Sequence, residues 1–285
     1  MVTTKRNIIH WFFLLPSLIG LLLFYVIPFL YSFYYSLLDN LGSRQFVFFK
    51  NYSDLISNEL FIDASRNTLI FMGLTIPFGI VIAFFITSCL FKIRRGKAIA
   101  TIFLLLPLVV PSGAAAYFWK IAFGINGLFN KLMVMNGADH AALIRNQWTM
   151  GVIILVYLWK NISFNIILFW SGINWIPAVY YEQMRVMGGG LLAQFRHVTF
   201  VYLSPTVLVV ILISIVNSFK VFKEIQMLYG SYPSRDIYML QHFFNNQFSA
   251  FNISKLSSAA YIMFIALALI LLVVFHLQKR LTDLY

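Results

Sequence analysis

Six long apolar segments limit how this chain can fold. They cover residues 11–38, 67–91, 98–122, 148–173, 201–222 and 257–278, and each reaches the length of about 20 residues that a helix needs to cross a bilayer. Of the 285 residues, 61% are hydrophobic and 11% are charged, and the mean hydropathy is +0.83. Because a soluble domain carries about 25% charged residues, the sequence predicts an all-α membrane protein. Six transmembrane helices would form one domain over residues 1–285.

The distribution of Lys and Arg predicts which side of the membrane each end occupies. Six spans place both termini on one side, and the basic pairs at 5–6 and 279–280 indicate that this side is the cytoplasm. Ten cations fall on each side in this arrangement, so the total does not decide. The segment KIRRGK at 92–97 favours the cytoplasmic assignment, because it places four cations in six residues. The net charge of +12 then reflects contacts with lipid and cytoplasm, and nucleic acid is not an expected partner.

The segment between the fourth and fifth spans differs from the apolar segments around it. It reads YYEQMRVMGGGLLAQFRHVTF over residues 180–200. Pro177 suits the first turn of a helix, which predicts a short helix over 178–186. Glycine is less favourable inside a helix than alanine by about 1 kcal/mol, so the chain should bend at 188–190. A second short helix over 191–197 would lead into the fifth span, and the two short helices would meet at a cytoplasmic corner.

The order of residues in this segment resembles the EAA loop of the permease subunits of binding-protein-dependent ABC importers. That pattern runs Tyr-Glu-Ala-Ala, a hydrophobe, Asp-Gly-Ala, a Phe, and then Ile-Thr-Leu-Pro with a further Pro. The matching residues here are Tyr181, Glu182, Val186, Gly188, Phe195, Val198, Thr199 and Pro205. The sequence departs from the pattern at Gln183, Met184, Met187, Gly189 and Val201.

Four other segments resemble the carbohydrate class of the same family. They are WFFLLPSLIGLLLFYVIPFLYSFYYSL, FKNYSDLISNELFIDASRNTLIF with its Asn-Tyr and Asn-Thr pairs, LPLVVPSGAAAYFWKIAFGINGLFN with its two prolines, and LWKNISFNIILFWSGINWIP. Together they cover most of the chain. The resemblance is to the first permease of maltose and glycerol-3-phosphate type systems.

The resemblance implies a type I ABC importer permease for a sugar or oligosaccharide in the bacterial cytoplasmic membrane. A second, homologous permease would form a heterodimer with this chain, an extracytoplasmic solute-binding protein would deliver the carbohydrate, and two ATPase subunits would drive alternating access. The chain has no G-x-x-x-x-G-K-[ST] phosphate loop. We therefore expect ATP and Mg²⁺ on the ATPase subunits, and neither a cofactor nor enzymatic activity in this chain. The implied ATPase-coupling residues are Tyr181, Glu182, Val186, Gly188, Gly189 and Phe195.

Polar residues within the spans are the candidates for a substrate path. Lys160 lies near the middle of the fourth span, where a cation costs about 2.5–3.5 kcal/mol on insertion scales. The resemblance implies a path lined by Lys160, Asn161, Phe164, Ser214, Asn217 and Ser218. Amides, hydroxyls and aromatic rings are the groups that bind sugars, and a lysine also suits a carboxylated or sulfated sugar. Hydrogen bonding between helices of the bundle is the alternative role for these residues.

Two other functions stay open on the sequence. A lipid-modifying membrane enzyme would use Lys160 with acidic loop residues, but no Ser-His-Asp or paired-carboxylate arrangement lies within the spans. A self-sufficient channel or secondary transporter would need inverted repeats or paired broken helices, and none is found in the sequence. Neither a metal site nor a catalytic residue is expected, because the histidines at 10, 140, 197, 242 and 276 lack the spacing of metal ligands.

Overall fold

The computed structural model describes residues 13–39, 45–93, 95–124, 127–135 and 149–283. The cations Lys5, Arg6 and Arg94, which the predicted orientation uses, lie outside these ranges. The helices are α1 (Phe13–Ser36), α2 (Lys50–Ile56), α3 (Glu59–Lys92), α4 (Lys97–Val109), α5 (Ser112–Phe123), α6 (Leu128–Met135), α7 (Thr149–Asn174), α8 (Ala178–Val186), α9 (Leu191–Tyr229), α10 (Leu240–Ser249) and α11 (Ile253–Asp283). In these ranges the only strand-like pairing is an isolated bridge between Leu38 and Phe46. The predicted all-α fold class is confirmed.

Five helices, α1, α3, α7, α9 and α11, are long and apolar enough to cross a membrane. The predicted span 98–122 differs from them, because it consists of α4 and α5, which meet at an angle of 99°. The break follows from Pro111, since a residue before proline avoids the helical region and Val110 takes an extended ψ of 121°. Pro107, by contrast, is buried inside α4 and does not break it. Counted as one bent span, the pair brings the number of candidate spans among the described residues to six.

Helix α9 is longer than the predicted fifth span at 201–222. It begins at Leu191, so the predicted short helix over 191–197 is its first part, and it passes through a π-helical turn at Phe195–Thr199. It continues past the expected end to Tyr229, where Gly230 leaves the helix at a φ of 82°. One long helix therefore connects the polar loop at 187–190 with residues beyond the predicted fifth span.

The helices fall into two compact units, and the first comprises Met1–Ile62 with Phe244–Leu267. Within it, α1 packs on α11 through aromatic side chains, and the Tyr261 hydroxyl donates to the Phe29 carbonyl at 2.5 Å. Asn51 of α2 donates to the carbonyls of Ser36 (2.9 Å) and Leu38 (2.7 Å). Because the last carbonyls of a helix have no partner within it, this asparagine stabilises the end of α1.

The second unit comprises Asp63–Phe243 with Ala268–Tyr285. Its main core contains Ala83 of α3, Phe169 of α7, and Leu203 and Val210 of α9. Gly172 allows the close approach of α7 and α9, because a Cβ atom there would lie 2.6 Å from the Thr206 Oγ1. This core therefore holds the fourth and fifth spans together along their apolar faces.

The Asn-Thr pair that the sequence shares with sugar permeases has a structural role in this unit. The Asn67 Nδ2 donates to the carbonyls of Arg235 (2.6 Å) and Tyr238 (3.1 Å). The Thr68 Oγ1 accepts from the Leu240 amide at 3.0 Å. The two side chains thus fasten the connection between α9 and α10 to α3.

His242 of α10 is fully buried in the second unit. Its Nδ1 accepts from the Met239 amide at 3.2 Å, so the other ring nitrogen, Nε2, carries the proton of the neutral ring. Within the described residues this Nε2 has no hydrogen-bond partner. Burial disfavours the charged imidazolium and lowers the pKa of His242 from 6.5 to about 4.

We predict that this histidine makes the folded protein sensitive to acid. The unfolded chain takes up the proton near pH 6.5 and the folded chain near pH 4, so the stabilisation is complete above the first value and is lost as the pH falls to the second. The loss amounts to about 3 kcal/mol at most. His242→Asn keeps an acceptor for the Met239 amide and does not titrate. Its melting temperature in detergent should fall less than that of the wild type between pH 7 and pH 4.5. Equal falls in the melting temperatures of the two proteins would contradict this.

Candidate functional site: a charged cavity and a cytoplasmic loop

An ion pair lies among the transmembrane helices of the second unit. The Lys160 Nζ of α7 is 3.0 Å from the Glu224 Oε1 of α9, with 23% of the lysine side chain and 10% of the glutamate side chain exposed. Lys160 also donates to the Ser112 hydroxyl, which follows the α4–α5 bend. Because a lone charge at membrane depth is costly, the pairing explains how a lysine is kept in an apolar span. Three helices, α5, α7 and α9, therefore meet at this lysine.

This ion pair forms part of the wall of a cavity of about 390 Å³. The cavity is lined by Leu108, Ser112, Val156, Tyr157, Lys160, Asn161, Phe164, Ile213, Asn217, Lys220, Val221, Lys223 and Glu224. Asn161 donates to the Tyr157 carbonyl at 2.9 Å, and Lys220 donates to the Asn217 Oδ1 at 3.1 Å. The wall thus combines charges, amides and two aromatic rings, those of Tyr157 and Phe164, with apolar side chains, as ligand pockets do.

Of the six residues predicted for the substrate path, the structure places four together at this cavity: Lys160, Asn161, Phe164 and Asn217. The predicted Ser214 and Ser218 do not line it. Both are buried; the Ser214 carbonyl accepts from the Tyr157 hydroxyl at 3.1 Å, and the Ser218 hydroxyl donates to the Ile215 carbonyl at 2.6 Å. Ser214 therefore lies where α7 and α9 pack, and the Ser218 hydroxyl is hydrogen-bonded within its own helix.

Sequence reasoning missed the charged residues at the far end of α9. Lys220 lay two residues inside the predicted end of the fifth span at 222, and Lys223 and Glu224 fell beyond it. A signal was present, because Asn217, Lys220 and Glu224 are spaced by three and four residues and so share one face of a helix. The apolar window ended at residue 222 and hid that continuity.

Gly188 and Gly189 are each required at the corner of the loop, for different structural reasons. Gly188 has a φ of 78°, a left-handed conformation that favours glycine. Its amide donates to the Arg185 carbonyl at 3.0 Å, and the Gly189 amide donates to the Met184 carbonyl at 2.8 Å. These two bonds form a Schellman motif, which ends helix α8 after Val186. A Cβ atom on Gly189 would lie 2.7 Å from the Cγ and Sδ atoms of Met184.

Two departures from the family pattern thus contact each other. The pattern has alanine at the positions of Met184 and Gly189, and here the longer side chain at one position lies where a side chain at the other would stand. Relative to the two alanines of the pattern, Met184 is larger and Gly189 is smaller, so the Met184 side chain occupies the space that a side chain at 189 would take. Gly190 has open space around it and is the N-cap residue that precedes α9, so it carries no such constraint.

The predicted coupling residues divide into anchors and exposed groups. Tyr181 packs against the main core, and its hydroxyl lies 3.0 Å from the Thr199 Oγ1. Phe195 is 5.5 Å from Phe84 between ring centres. Glu182 is exposed. Four apolar side chains at the corner are at least 80% exposed, namely Val186, Met187, Leu191 and Leu192, and we call them the loop patch.

Known proteins resemble this chain over most of its length. No family model matches the chain. It is 25% identical over 268 residues to the sn-glycerol-3-phosphate transport system permease protein UgpA of Brucella abortus, with 92% of each chain covered. It is 28% identical over 227 residues to the arabinooligosaccharides transport system permease protein AraP of Bacillus subtilis, with 77% of this chain and 71% of that one covered.

A solved structure has the same fold. It is that of a bacterial ABC transporter involved in the import of the acidic polysaccharide alginate, with a TM-score of 0.81, 21% identity, and coverage of 98% of this chain and 97% of that one. At this identity the match establishes the fold. The curated relatives are permease subunits, so the predictions of a permease and of a chain that is not itself an enzyme are confirmed. The chain is a multi-pass membrane protein related to the permease subunits of sugar and glycerol-phosphate ABC importers, and it has their fold.

Proposed function

We propose that this chain is one of two permeases of an ATP-driven importer that carries a sugar or oligosaccharide across the bacterial cytoplasmic membrane by alternating access. A second, homologous permease, two ATPase subunits and an extracytoplasmic solute-binding protein complete the complex, and both termini of this chain lie in the cytoplasm. ATP and Mg²⁺ bind to the ATPase subunits. The observation that carries the proposal is a cavity with a charged and polar wall among apolar, membrane-length helices.

The relatives and the cavity wall both favour a polyhydroxyl substrate. One relative is named for arabinooligosaccharides and another for sn-glycerol-3-phosphate. Asn161 and Asn217 offer amide groups to hydroxyls, and Phe164 offers a ring to an apolar sugar face. The volume of about 390 Å³ falls within the usual range of ligand pockets.

The loop patch is the surface that we assign to the ATPase. Exposed apolar side chains at the tip of a loop are expected to be covered by a partner, and Glu182 beside them offers a charge to a basic residue of that partner. Tyr181 and Phe195 anchor the loop to the core. Because α9 runs from Leu191 to Tyr229, a displacement at the loop is carried along one helix to Lys220 and Glu224 at the cavity. This continuity supports a mechanical link between ATP hydrolysis and the substrate path.

Purification of the tagged chain from native membranes in mild detergent tests the proposal. We expect mass spectrometry to identify a second permease and an ATPase subunit. With the solute-binding protein added, the complex in nanodiscs should hydrolyse ATP faster in the presence of a carbohydrate. Reproducible recovery of this chain alone, with transport activity that needs no ATP, would contradict the proposal and favour a self-sufficient transporter.

A further inference from the structure

The charges around the cavity point to the chemistry of the substrate. We infer that the cavity selects a polyhydroxyl compound with a negative charge, and that Lys220 and Lys223, rather than Lys160, make this selection. The inference rests on the proposed function, because it concerns what the same cavity carries. It names a carboxylate or phosphate group as the feature recognised.

Lys160 is already neutralised by its neighbours. Its ammonium group contacts the Glu224 carboxylate at 3.0 Å and the Ser112 hydroxyl. A substrate anion would have to displace Glu224, and the displaced carboxylate would then lack its partner in a site where only 10% of its side chain is exposed. The pair therefore contributes structure to the wall and little net charge.

Lys220 and Lys223 stand in a different position. Both line the cavity and both are exposed, and within the described residues neither has an ion-pair partner. Lys220 donates to the neutral Asn217 Oδ1 at 3.1 Å. Like charges three residues apart on a helix repel each other, and an anion bound at the cavity would relieve that repulsion. Three lysines and one glutamate leave the wall with an excess of two positive charges.

The neutral part of the wall indicates what else the substrate carries. Asn161 and Asn217 supply amides, and Phe164 supplies an aromatic face, so the substrate has hydroxyl groups as well as a charge. A carboxylated sugar and a phosphorylated polyol share this chemistry. The two are distinguished by experiment.

The test uses the complete complex with its solute-binding protein in liposomes and measures ATP-dependent uptake of four labelled probes. Trigalacturonate and its fully methyl-esterified form share one sugar skeleton, and esterification removes the negative charges while adding a methyl group to each carboxyl; sn-glycerol-3-phosphate and maltotriose represent a phosphate and a neutral sugar. We expect uptake of trigalacturonate or of sn-glycerol-3-phosphate, and little uptake of the two neutral probes. Whichever anion is taken up identifies the charged group.

Substitutions in the permease separate its selectivity from that of the binding protein. The double variant Lys220→Gln with Lys223→Gln should lower uptake of the anionic probe about tenfold or more, since it removes charged hydrogen-bond donors, and Lys220→Arg with Lys223→Arg should retain most of it. Equal uptake of charged and neutral sugars, or unchanged anion uptake by the glutamine variant, would overturn the inference while leaving the proposed function intact. Uptake of none of the four probes would count against both.

Discussion

Replacement of Glu224 by glutamine will lower both the melting temperature and the uptake rate more than any other single substitution on the cavity wall. The substitution leaves the Lys160 ammonium group among apolar helices without its counter-charge. Removing one partner of a buried pair costs about 3–5 kcal/mol, and the partial exposure of Lys160 reduces this to about 1–3 kcal/mol by solvent screening. Thermal unfolding of the detergent-solubilised complex and uptake in liposomes are the two measurements.

A double-mutant cycle isolates the ion pair from other effects of the substitution. Lys160→Glu combined with Glu224→Lys should be more stable than either single variant, because the opposite charges still meet and the Ser112 hydroxyl can donate as well as accept. Lys223→Gln is the matched control for stability, because this lysine is exposed and has no ion-pair partner in the described part of the chain. Additive losses in the swapped variant would show that the contact contributes nothing.

The second large effect is expected at the loop corner. Gly189→Ala would place a Cβ atom 2.7 Å from the Met184 Cγ and Sδ atoms and 2.8 Å from its carbonyl oxygen. Overpacking of this kind costs about 1–3 kcal/mol, so we expect the corner to shift and ATP-driven uptake to fall about tenfold. The fall should occur with little change in the amount of folded chain in the membrane, because the glycine corner at 188–190 is not among the buried residues of the main core.

The double variant Gly189→Ala with Met184→Ala is the informative comparison with Gly189→Ala alone. The double variant has alanine at both positions, as the family pattern does, and it removes the Cγ and Sδ atoms that the new side chain would meet. Uptake should therefore recover in large part, with a remainder due to the carbonyl contact. Gly190→Ala is the control, because no atom lies within 4 Å of a Cβ there. A Gly189→Ala variant with full uptake, or a double variant no better than the single one, would refute the packing explanation.

The sequence was sufficient for the parts of the fold that depend on local patterns. The run of apolar residues predicted the spans, and Pro177 with the glycines at 188–190 predicted a short helix where the structure has α8, Ala178–Val186. The Pro111 break was harder, because two prolines four residues apart permit either a kink or a bend. The choice depends on ψ at Val110 and on tertiary contacts of Ser112, which no local pattern encodes.

The candidate site was only partly predictable, for a physical reason. Lys160 stood out because a charge inside an apolar span requires a partner. The identity of that partner, Glu224, depends on how two helices 64 residues apart in sequence pack together. Likewise, the family resemblance implied Ser214 and Ser218 as path residues, but the rotation of α9 buries both: Ser214 lies where α7 and α9 pack, and Ser218 donates to a carbonyl of its own helix. Helix rotation and pairing arise from the whole core and are not contained in any one segment.

Photo-cross-linking can show whether the loop patch docks on an ATPase subunit. A benzophenone amino acid replaces Val186, which is 88% exposed, in the assembled complex in native membranes. Phe251, which is 82% exposed and lies between the fifth and sixth spans, serves as the control on the side that we predict faces outward. We expect an adduct with the ATPase subunit from position 186 and none from position 251. An intact complex in which the probe at 186 reacts only with lipid would contradict it.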